Sequence, residues 1–491
     1  MMGFFLKIYF LITAVSSALL WFLLLAVYFD NEVFIPPLPR LQETWFGNPE
    51  DALSFKVDAT PLIEPYKVQI KDDILRDLKL RLKSDLRRVK SQNFPKPLLD
   101  SFEYGFNTNY LQTIVGEYWS NNYNWTQQEV MINNMGDHFT TKISGMDVHY
   151  LRVTPDINTK AKVIPLLLVH GWPGSFLEFR NVIPYLTNVT GNNEFVFDVI
   201  MPSIPGYGFS SAPRKPGFHI GQCARIFHTL MTERLGFKDG FYMQGGDWGS
   251  LITTALATLY PNYVSGLHLN FAIGSTPSVP LKHFIAGVSP NSILDALGLQ
   301  HKPNIQEQFA RMLEETGYFH LQATKPDTIG VALNTSPLGL AAYILEKFSS
   351  WTRHNNKIYS DGKLFDYYEI DDLLNNVMLY WLTNSITTSM RFYKENFGNN
   401  KKNQEEMIGI LTNPIKDVPV GVASYSDEMF VFGKEELRGK FRNIIQYSRM
   451  DNGGHFAAME DPRRLYQDIY KFVMKAEHER ENRNKIVSGE L

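Results

Sequence analysis

The sequence predicts an α/β fold in which helices cover a mostly parallel sheet. From about residue 147 onward, short apolar runs alternate with segments of helical periodicity. The run 163–170, VIPLLLVH, is almost wholly apolar, as expected of a strand that is buried on both faces. Helical, aromatic-rich sequence from about 272 to 410 interrupts the alternation. This interruption predicts a cap domain inserted into the sheet domain.

Several apolar runs are predicted to be strands of this sheet. In chain order they are residues 148–153, 163–170, 195–201, 240–244, 264–270, 418–425 and 444–449. A helix is predicted from Trp248 to Tyr260, just before Pro261, and another from about Pro462. Ligands of open parallel sheets bind beyond the carboxyl ends of the strands. The loops that follow the strands are therefore where functional residues are expected.

The composition excludes several classes of protein. Of the 491 residues, 44% are hydrophobic and 20% are charged, which is typical of a globular chain with a large core. The net charge of −3 gives no basic excess for binding nucleic acid. The single cysteine, Cys223, rules out an intrachain disulfide and a zinc or iron–sulfur site built on cysteines.

The N-terminal segment predicts a membrane anchor. Residues 8–29 contain no charged side chain and are long enough to cross the hydrocarbon core as a helix. The alternative is a cleaved secretory signal ending near Ala18, but the apolar run continues well past that residue. A proline-rich tether, VFIPPLPRL, follows the anchor. Residues 70–90 then predict an amphipathic helix, either packed against the body or lying on a membrane surface.

The sharpest chemical signal is the segment 244–249, QGGDWG, between a predicted strand and a predicted helix. Small residues on both sides of Asp247 permit the tight turn of a nucleophile elbow, which projects one side chain above the sheet. The chain contains no G-x-S-x-G segment, so the projecting residue is an aspartate. A carboxylate at this position can attack carbon and form a covalent ester. The alternative is that Asp247 only caps its helix.

The segment His170-Gly171-Trp172-Pro173 directly follows the most apolar strand. The backbone amides of Trp172 and Trp248 are predicted to form an oxyanion hole beside Asp247. The alternative for this short motif is a structural turn at the end of the strand.

The last predicted strand leads into a glycine-rich loop that carries His455. An acid that orients this histidine should follow an earlier strand, and Asp427 and Glu428 both follow the strand 418–425. The chain order nucleophile, acid, histidine is that of hydrolases built on such a sheet. The spacing alone does not choose between the two acids.

The motifs H-G-W-P, G-G-D-W-G and G-G-H-F, in this order, resemble those of the microsomal epoxide hydrolases of the α/β-hydrolase superfamily. The resemblance extends over nearly the whole chain past residue 50. The anchor, the tether and Trp45-Phe46-Gly47 are most similar to the insect juvenile hormone epoxide hydrolases. The resemblance implies an anchor (1–30), a tether and N-terminal meander (31–146), a hydrolase core in two parts (147–271 and 411–491) and a helical cap (272–410).

The resemblance also implies residue roles. Asp247 would be the nucleophile, His455 the base and Glu428, rather than Asp427, the acid that orients it. Two cap tyrosines would hold the epoxide oxygen, and they correspond to Tyr318 in T-G-Y and Tyr393 in R-F-Y-K-E.

The implied activity is hydrolysis of an apolar epoxide, such as juvenile hormone or a lipophilic xenobiotic, to a vicinal diol. Its partners would be the epoxide, water and the membrane of the endoplasmic reticulum, and it would need no metal or organic cofactor. Two alternatives remain open. A haloalkane dehalogenase shares the aspartate nucleophile but needs halide-binding donors. A membrane-tethered binding protein on an inactive hydrolase fold would not require a nucleophile, an acid or a base.

Overall fold

Nine strands of the described residues form a single sheet in the computed structural model of the protein. The structure describes residues 35–52, 63–156, 161–188, 194–273 and 305–488. The strands are β1 (Ile63–Pro65), β2 (Asp137–Ile143), β3 (Met146–Val153), β4 (Lys162–Val169), β5 (Phe195–Pro202), β6 (Phe241–Gly245), β7 (Val264–Leu269), β8 (Val420–Tyr425) and β9 (Ile444–Met450). Their order across the sheet is β1-β2-β3-β5-β4-β6-β7-β8-β9.

Most neighbouring strands run parallel. The pairs from β5 through β4, β6, β7 and β8 to β9 are parallel, whereas β1, β2, β3 and β5 pair antiparallel. Each strand predicted from the sequence is present, and its ends lie within two residues of the prediction. The antiparallel strands β1 and β2 were not predicted. Because β2 mixes polar and apolar residues, as in DHFTTKI, it lacks the continuous apolar run of a buried parallel strand.

Helices of the N-terminal region and of the first half of the core connect these strands. They are α1 (Pro49–Ala52), α2 (Asp72–Val89), α3 (Thr108–Tyr110), α4 (Glu117–Asn121), α5 (Trp125–Asn133), α6 (Ile183–Thr187), α7 (Ile220–Thr229) and α8 (Asp247–Leu259). Helix α2 buries Leu78, Leu82 and Leu86 and contacts the later helix Pro337–Ser350. The interpretation of this amphipathic segment as a packed helix is thus confirmed.

The cap lies in the chain between β7 and β8. Its described helices are α9 (Ile305–Glu315), α10 (Gly317–Thr324), α11 (Pro326–Leu333), α12 (Pro337–Ser350), α13 (Leu364–Tyr367), α14 (Ile370–Leu382), α15 (Ser385–Phe397) and α16 (Lys401–Thr412). Helix α15 packs against α10 and α11, and α14 packs against α12. This arrangement places the α10 and α15 residues near one another, above the loops of the sheet.

The chain closes with α17 (Lys434–Leu437), α18 (Ala457–Glu460) and α19 (Pro462–Ser488). Helix α19 contacts β7, β8 and β9. The two core segments therefore share one sheet, although the cap separates them in the chain.

The predicted anchor, residues 8–29, lies outside the described residues. Within the described ranges, no single helix has both the length and the apolar composition of a membrane span. Helices α11 and α12 meet these criteria only as a pair, and they are bent by 118° relative to each other.

Candidate active site

Asp247 lies at the junction of β6 and α8 in a backbone conformation that favours glycine. Its φ angle is +46°, in the left-handed region that non-glycine residues rarely adopt. The strand ends at Gly245 and the helix begins at Asp247, so Gly246 is the only residue between them. Such a sharp turn points the carboxylate away from the sheet and toward the cap.

The surrounding glycines permit the close contacts that this turn requires. A β-carbon at Gly249 would lie 1.9 Å from the Val169 carbonyl oxygen, and one at Gly171 would lie 2.3 Å from the β-carbon of Asp247. Both separations are far below van der Waals contact. The glycines of the G-G-D-W-G and H-G-W-P motifs therefore let β4, β6 and α8 approach closely enough to form the site.

His455 lies between the carboxylates of Glu428 and Asp247, the two partners predicted from the sequence. Its Nδ1 is 2.9 Å from Glu428 Oε1, and its Nε2 is 3.5 Å from Asp247 Oδ2. The side chains of His455 and Glu428 are 3% and 2% exposed, so solvent does not compete for these contacts. The structure thus brings together Asp247, His455 and Glu428.

Asp427, the other candidate acid, lies elsewhere. Its carboxylate accepts a hydrogen bond from Arg353 Nη1 at 3.0 Å, and both side chains are about one-third exposed. Because adjacent residues point in different directions after the end of β8, only Glu428 contacts the histidine.

The loop that carries His455 is held by a buried carboxylate that sequence reasoning missed. Glu460 accepts hydrogen bonds from the backbone amides of Gly454 at 2.8 Å and Phe456 at 2.9 Å, on either side of the histidine. The amide of His455 itself donates to the Trp351 carbonyl at 3.1 Å in the cap. Burial raises the pKa of Glu460 to about 7, although both amide hydrogen bonds oppose this shift. No motif signals this role, because it depends on the turn between the loop and α18.

The predicted oxyanion donors lie next to Asp247. The backbone amide of Trp172 donates to Asp247 Oδ1 at 2.7 Å. Trp248 follows Asp247 in the first turn of α8, where backbone N–H groups have no acceptor within the helix. Since Oδ1 is held by the Trp172 amide at 2.7 Å and Oδ2 lies 3.5 Å from His455 Nε2, Oδ2 is the more weakly held oxygen and the one better placed to react.

Both predicted cap tyrosines face the same region. The Tyr318 ring stacks on Trp172 with centroids 5.1 Å apart, and the Tyr393 ring meets Trp248 edge to face at 4.8 Å. The two tyrosine rings are 5.8 Å apart. Tyr393 is 2% exposed, and its hydroxyl has no hydrogen-bond partner among the described residues. A buried hydroxyl without a partner is expected where a substrate supplies one.

Comparison with known proteins agrees with this geometry. A family model described as epoxide hydrolase N terminus matches residues 63–179, and one described as alpha/beta hydrolase fold matches residues 164–462. Juvenile hormone epoxide hydrolase 1 of Ctenocephalides felis is 42% identical over 89% of this chain and 90% of its own. Epoxide hydrolase 1 of Sus scrofa is 44% identical over 84% of this chain and 88% of its own.

The chain belongs to the epoxide hydrolase family.

A solved structure of the family has the same architecture. The crystal structure of juvenile hormone epoxide hydrolase from Bombyx mori superimposes with a TM-score of 0.80 at 36% identity. The match covers 90% of this chain and all of the silkworm chain. The α/β-hydrolase fold predicted from the sequence is thereby confirmed.

The electrostatics of the site favour a charged histidine in this member of the family. Burial lowers the pKa of His455, but the carboxylates of Glu428 and Asp247 outweigh burial and hold the pKa well above its usual range. Burial raises the pKa of Tyr318 and Tyr393, and the Asp247 carboxylate raises it further for both. Both tyrosines therefore keep their protons at neutral pH and can act as hydrogen-bond donors.

Proposed function

We propose that the protein hydrolyses apolar epoxides to vicinal diols through a covalent ester on Asp247. One arrangement carries the proposal: a carboxylate on a strained elbow contacts a histidine–glutamate pair, near two cap tyrosines that keep their protons. Membership of the epoxide hydrolase family supports it independently. No step requires a metal or an organic cofactor.

The first half of the reaction opens the ring. Tyr318 and Tyr393 donate hydrogen bonds to the epoxide oxygen, which lowers the cost of the negative charge that develops there. Asp247 Oδ2 attacks a ring carbon, the carbon–oxygen bond breaks, and one tyrosine gives its proton to the released alkoxide. The product is an alkyl ester on Asp247 and a tyrosinate.

The second half hydrolyses this ester. Esterification removes the negative charge of Asp247, which had helped to raise the pKa of His455. The pKa of His455 therefore falls, its proton is released to solvent, and the neutral Nε2 can accept a proton when water must be activated. Water attacks Cγ of Asp247 and gives a proton to His455. The Trp172 and Trp248 amides stabilise the oxyanion. The Cγ–Oδ2 bond breaks, the leaving alkoxide takes the proton from His455, and the Asp247 proton returns to the tyrosinate.

Isotope labelling tests the covalent route. In a single turnover in ¹⁸O-water, the new diol oxygen should come from Asp247, so the first diol should be unlabelled and the label should appear in the enzyme. Repeated turnover should then transfer the label to the diol. Label in the diol of the first turnover would mean that water attacks the epoxide directly.

For the substrate we propose a lipophilic epoxide, with juvenile hormone as the first candidate. Relatives from the flea and the silkworm bear the name juvenile hormone epoxide hydrolase, and the aromatic residues around Asp247 favour an apolar ligand. Rates of single turnover on juvenile hormone and on styrene oxide should differ in favour of the hormone. The reverse preference would assign the enzyme to xenobiotic epoxides.

We also propose that residues 8–29 anchor the protein in the membrane of the endoplasmic reticulum. The charge-free length of this segment supports the proposal. The full chain should resist alkaline carbonate extraction from microsomes, while a chain that lacks residues 1–30 should be released. A mature protein whose N-terminus lies beyond Ala18 would indicate a cleaved signal instead.

A further inference from the structure

A small cavity is lined by Asp247 and His455. Its lining includes Glu178, Gln244 and Gly174 together with the two catalytic candidates, whereas neither cap tyrosine contributes to it. The cavity has room for about one water molecule. It is therefore too small for an epoxide, but it can hold the small reactant of the second half-reaction.

Glu178 is the carboxylate of this cavity with no role so far. It lies in the short 3₁₀ helix Phe176–Phe179, which follows the H-G-W-P loop. Its carboxylate forms no hydrogen bond with any residue in the described part of the chain, although it is largely shielded from solvent. A β-carbon at Gly174 would lie 2.2 Å from Glu178 Oε2, so glycine at 174 makes room for this carboxylate.

A second polar group of the cavity also lacks a partner. The amide nitrogen of Gln244 donates to Asn270 at 2.7 Å, but its Oε1 is buried and has no hydrogen-bond partner among the described residues. Two polar side chains without hydrogen-bond partners therefore line the same cavity as His455, and polar cavities of this size hold ordered water.

We propose that Glu178 binds the hydrolytic water and orients it toward the ester carbon of Asp247. This inference rests on the covalent mechanism proposed above and assigns one further residue to its second half. The water has two hydrogens and two lone pairs. One hydrogen points to His455 Nε2, which takes it as a proton, and the other is donated to a Glu178 oxygen. A lone pair is then left to attack Cγ of Asp247.

The charge of Glu178 suits this role. Burial raises the pKa of its carboxyl to about 8; the nearby His455 lowers it and Asp247 raises it further. The carboxyl is therefore mostly neutral at pH 7, and its carbonyl oxygen accepts a hydrogen bond without adding a second anion beside the oxyanion. An amide has the same acceptor oxygen and nearly the same shape, so glutamine should replace glutamate at this position.

Pre-steady-state kinetics of two variants test the assignment. Alkylation is followed by the fluorescence of Trp172 and Trp248, and ester hydrolysis by the decay of the covalent adduct in quenched samples. In Glu178→Leu, ester hydrolysis should slow by about 10- to 100-fold, because one hydrogen bond to the reacting water is lost. Alkylation should proceed as in the wild type. Glu178→Gln should regain most of the hydrolysis rate, and Glu479→Leu on the exposed face of α19 serves as the control.

The outcomes separate the possible roles. Wild-type ester hydrolysis in Glu178→Leu would overturn the proposal, and so would an equal loss of both rates, which indicates a structural role. Loss of hydrolysis in Glu178→Gln as severe as in Glu178→Leu would also overturn it, since a neutral acceptor would then be insufficient. If the wild type itself forms no covalent adduct, the proposed function fails, and this result is distinct from any effect of Glu178.

Discussion

At the scale of single residues, the two ring nitrogens of His455 have different partners and different roles. Nδ1 faces Glu428, which fixes the ring and its tautomer, while Nε2 faces Asp247 and the water cavity. In the proposed mechanism, this imidazole acts only after the ester on Asp247 has formed. The nucleophile and the base can therefore be separated by substitution.

His455→Gln should form the covalent intermediate and then stop. Intact-mass analysis after addition of the epoxide should show the protein mass plus one substrate. Asp247→Asn should show no adduct under the same conditions. Wild-type turnover by His455→Gln would remove this histidine from the mechanism.

Replacing each candidate acid by its amide should give opposite results. Glu428→Gln should slow ester hydrolysis by up to about 10⁴-fold, the loss seen when the orienting aspartate of a serine-protease triad becomes an amide. Asp427→Asn should have little effect, because Asp427 pairs with Arg353 at a partly exposed position. Stopped-flow measurement of both half-reactions decides between them. A reversed pattern would assign the acid to Asp427.

At the scale of elements, the site depends on the close approach of β4 to the first turn of α8, and on cap helices α10 and α15 that supply the two tyrosines. The first contact is between backbones, so it tolerates almost no added volume. The second is formed by aromatic side chains stacked over Trp172 and Trp248. Stability is therefore expected to depend on the first contact and ring opening on the second.

Gly249→Ala should lower the free energy of unfolding by about 3 kcal/mol, the upper end of the range for overpacked cores. The added methyl group would lie 1.9 Å from the Val169 carbonyl oxygen, so β4 and α8 must move apart. Gly317→Ala is the matched control, since nothing lies within 4 Å of its added carbon. Urea unfolding of both variants measures the effect. Equal stability of the two would mean that β4 and α8 are not constrained by this contact.

Removing the tyrosine hydroxyls should affect ring opening alone. Tyr318→Phe or Tyr393→Phe should slow alkylation by up to about 10²–10³-fold, the usual cost of one donor to a developing oxyanion. The double variant should not alkylate, because no donor remains for the alkoxide. Tryptophan fluorescence follows the step. A double variant that alkylates at the wild-type rate would show that these tyrosines only pack the cap.

At the scale of the whole molecule, the sheet assembles a site from distant parts of the chain. Asp247 follows β6, and Glu428 and His455, the proposed acid and base, follow β8 and β9, so these groups are brought together only when the two core segments pair through β7 and β8. The sheet also buries histidines that must stay neutral. His170 is 1% exposed, its Nδ1 lies 3.0 Å from the Gly171 carbonyl, and its Nε2 accepts from the Ile204 amide at 3.1 Å.

This burial predicts a loss of stability in acid. Burial lowers the pKa of His170 to about 4, although its hydrogen bond to Gly171 and the charge of Asp247 oppose the shift. The unfolded state binds a proton near pH 6.5 and the folded state only near pH 4, so the stability that His170 contributes is present above pH 6.5 and falls between these values. The loss at pH 5 is about 2 kcal/mol from this residue. In His170→Asn, the slope of unfolding free energy against pH should fall by up to one proton in this window; an unchanged slope would mean that His170 does not titrate there.

The sequence predicted those parts of the molecule whose structure depends on a short stretch of neighbouring residues. The buried parallel strands, the elbow at Asp247 and the loop with His455 all follow from apolar runs and glycines next to strand ends. The cap tyrosines could be chosen only through the family resemblance, because one tyrosine among many has no local signature. Glu178 and Glu460 were not foreseen, since their surroundings come from elements far apart in the chain. The choice of Glu428 over Asp427 likewise depends on the direction of the chain after β8.

The left-handed backbone at Asp247 sets the stability of the folded chain against its reactivity. Glycine adopts that conformation freely, whereas an aspartate incurs a cost of about 1 kcal/mol. Replacing Asp247 by glycine would therefore relax the turn, and thermodynamic stability alone would favour that replacement. Aspartate at this position therefore costs the folded state a small amount of free energy and holds a carboxylate where the proposed ester forms. Asp247→Gly is accordingly expected to leave the fold intact and to abolish the proposed activity.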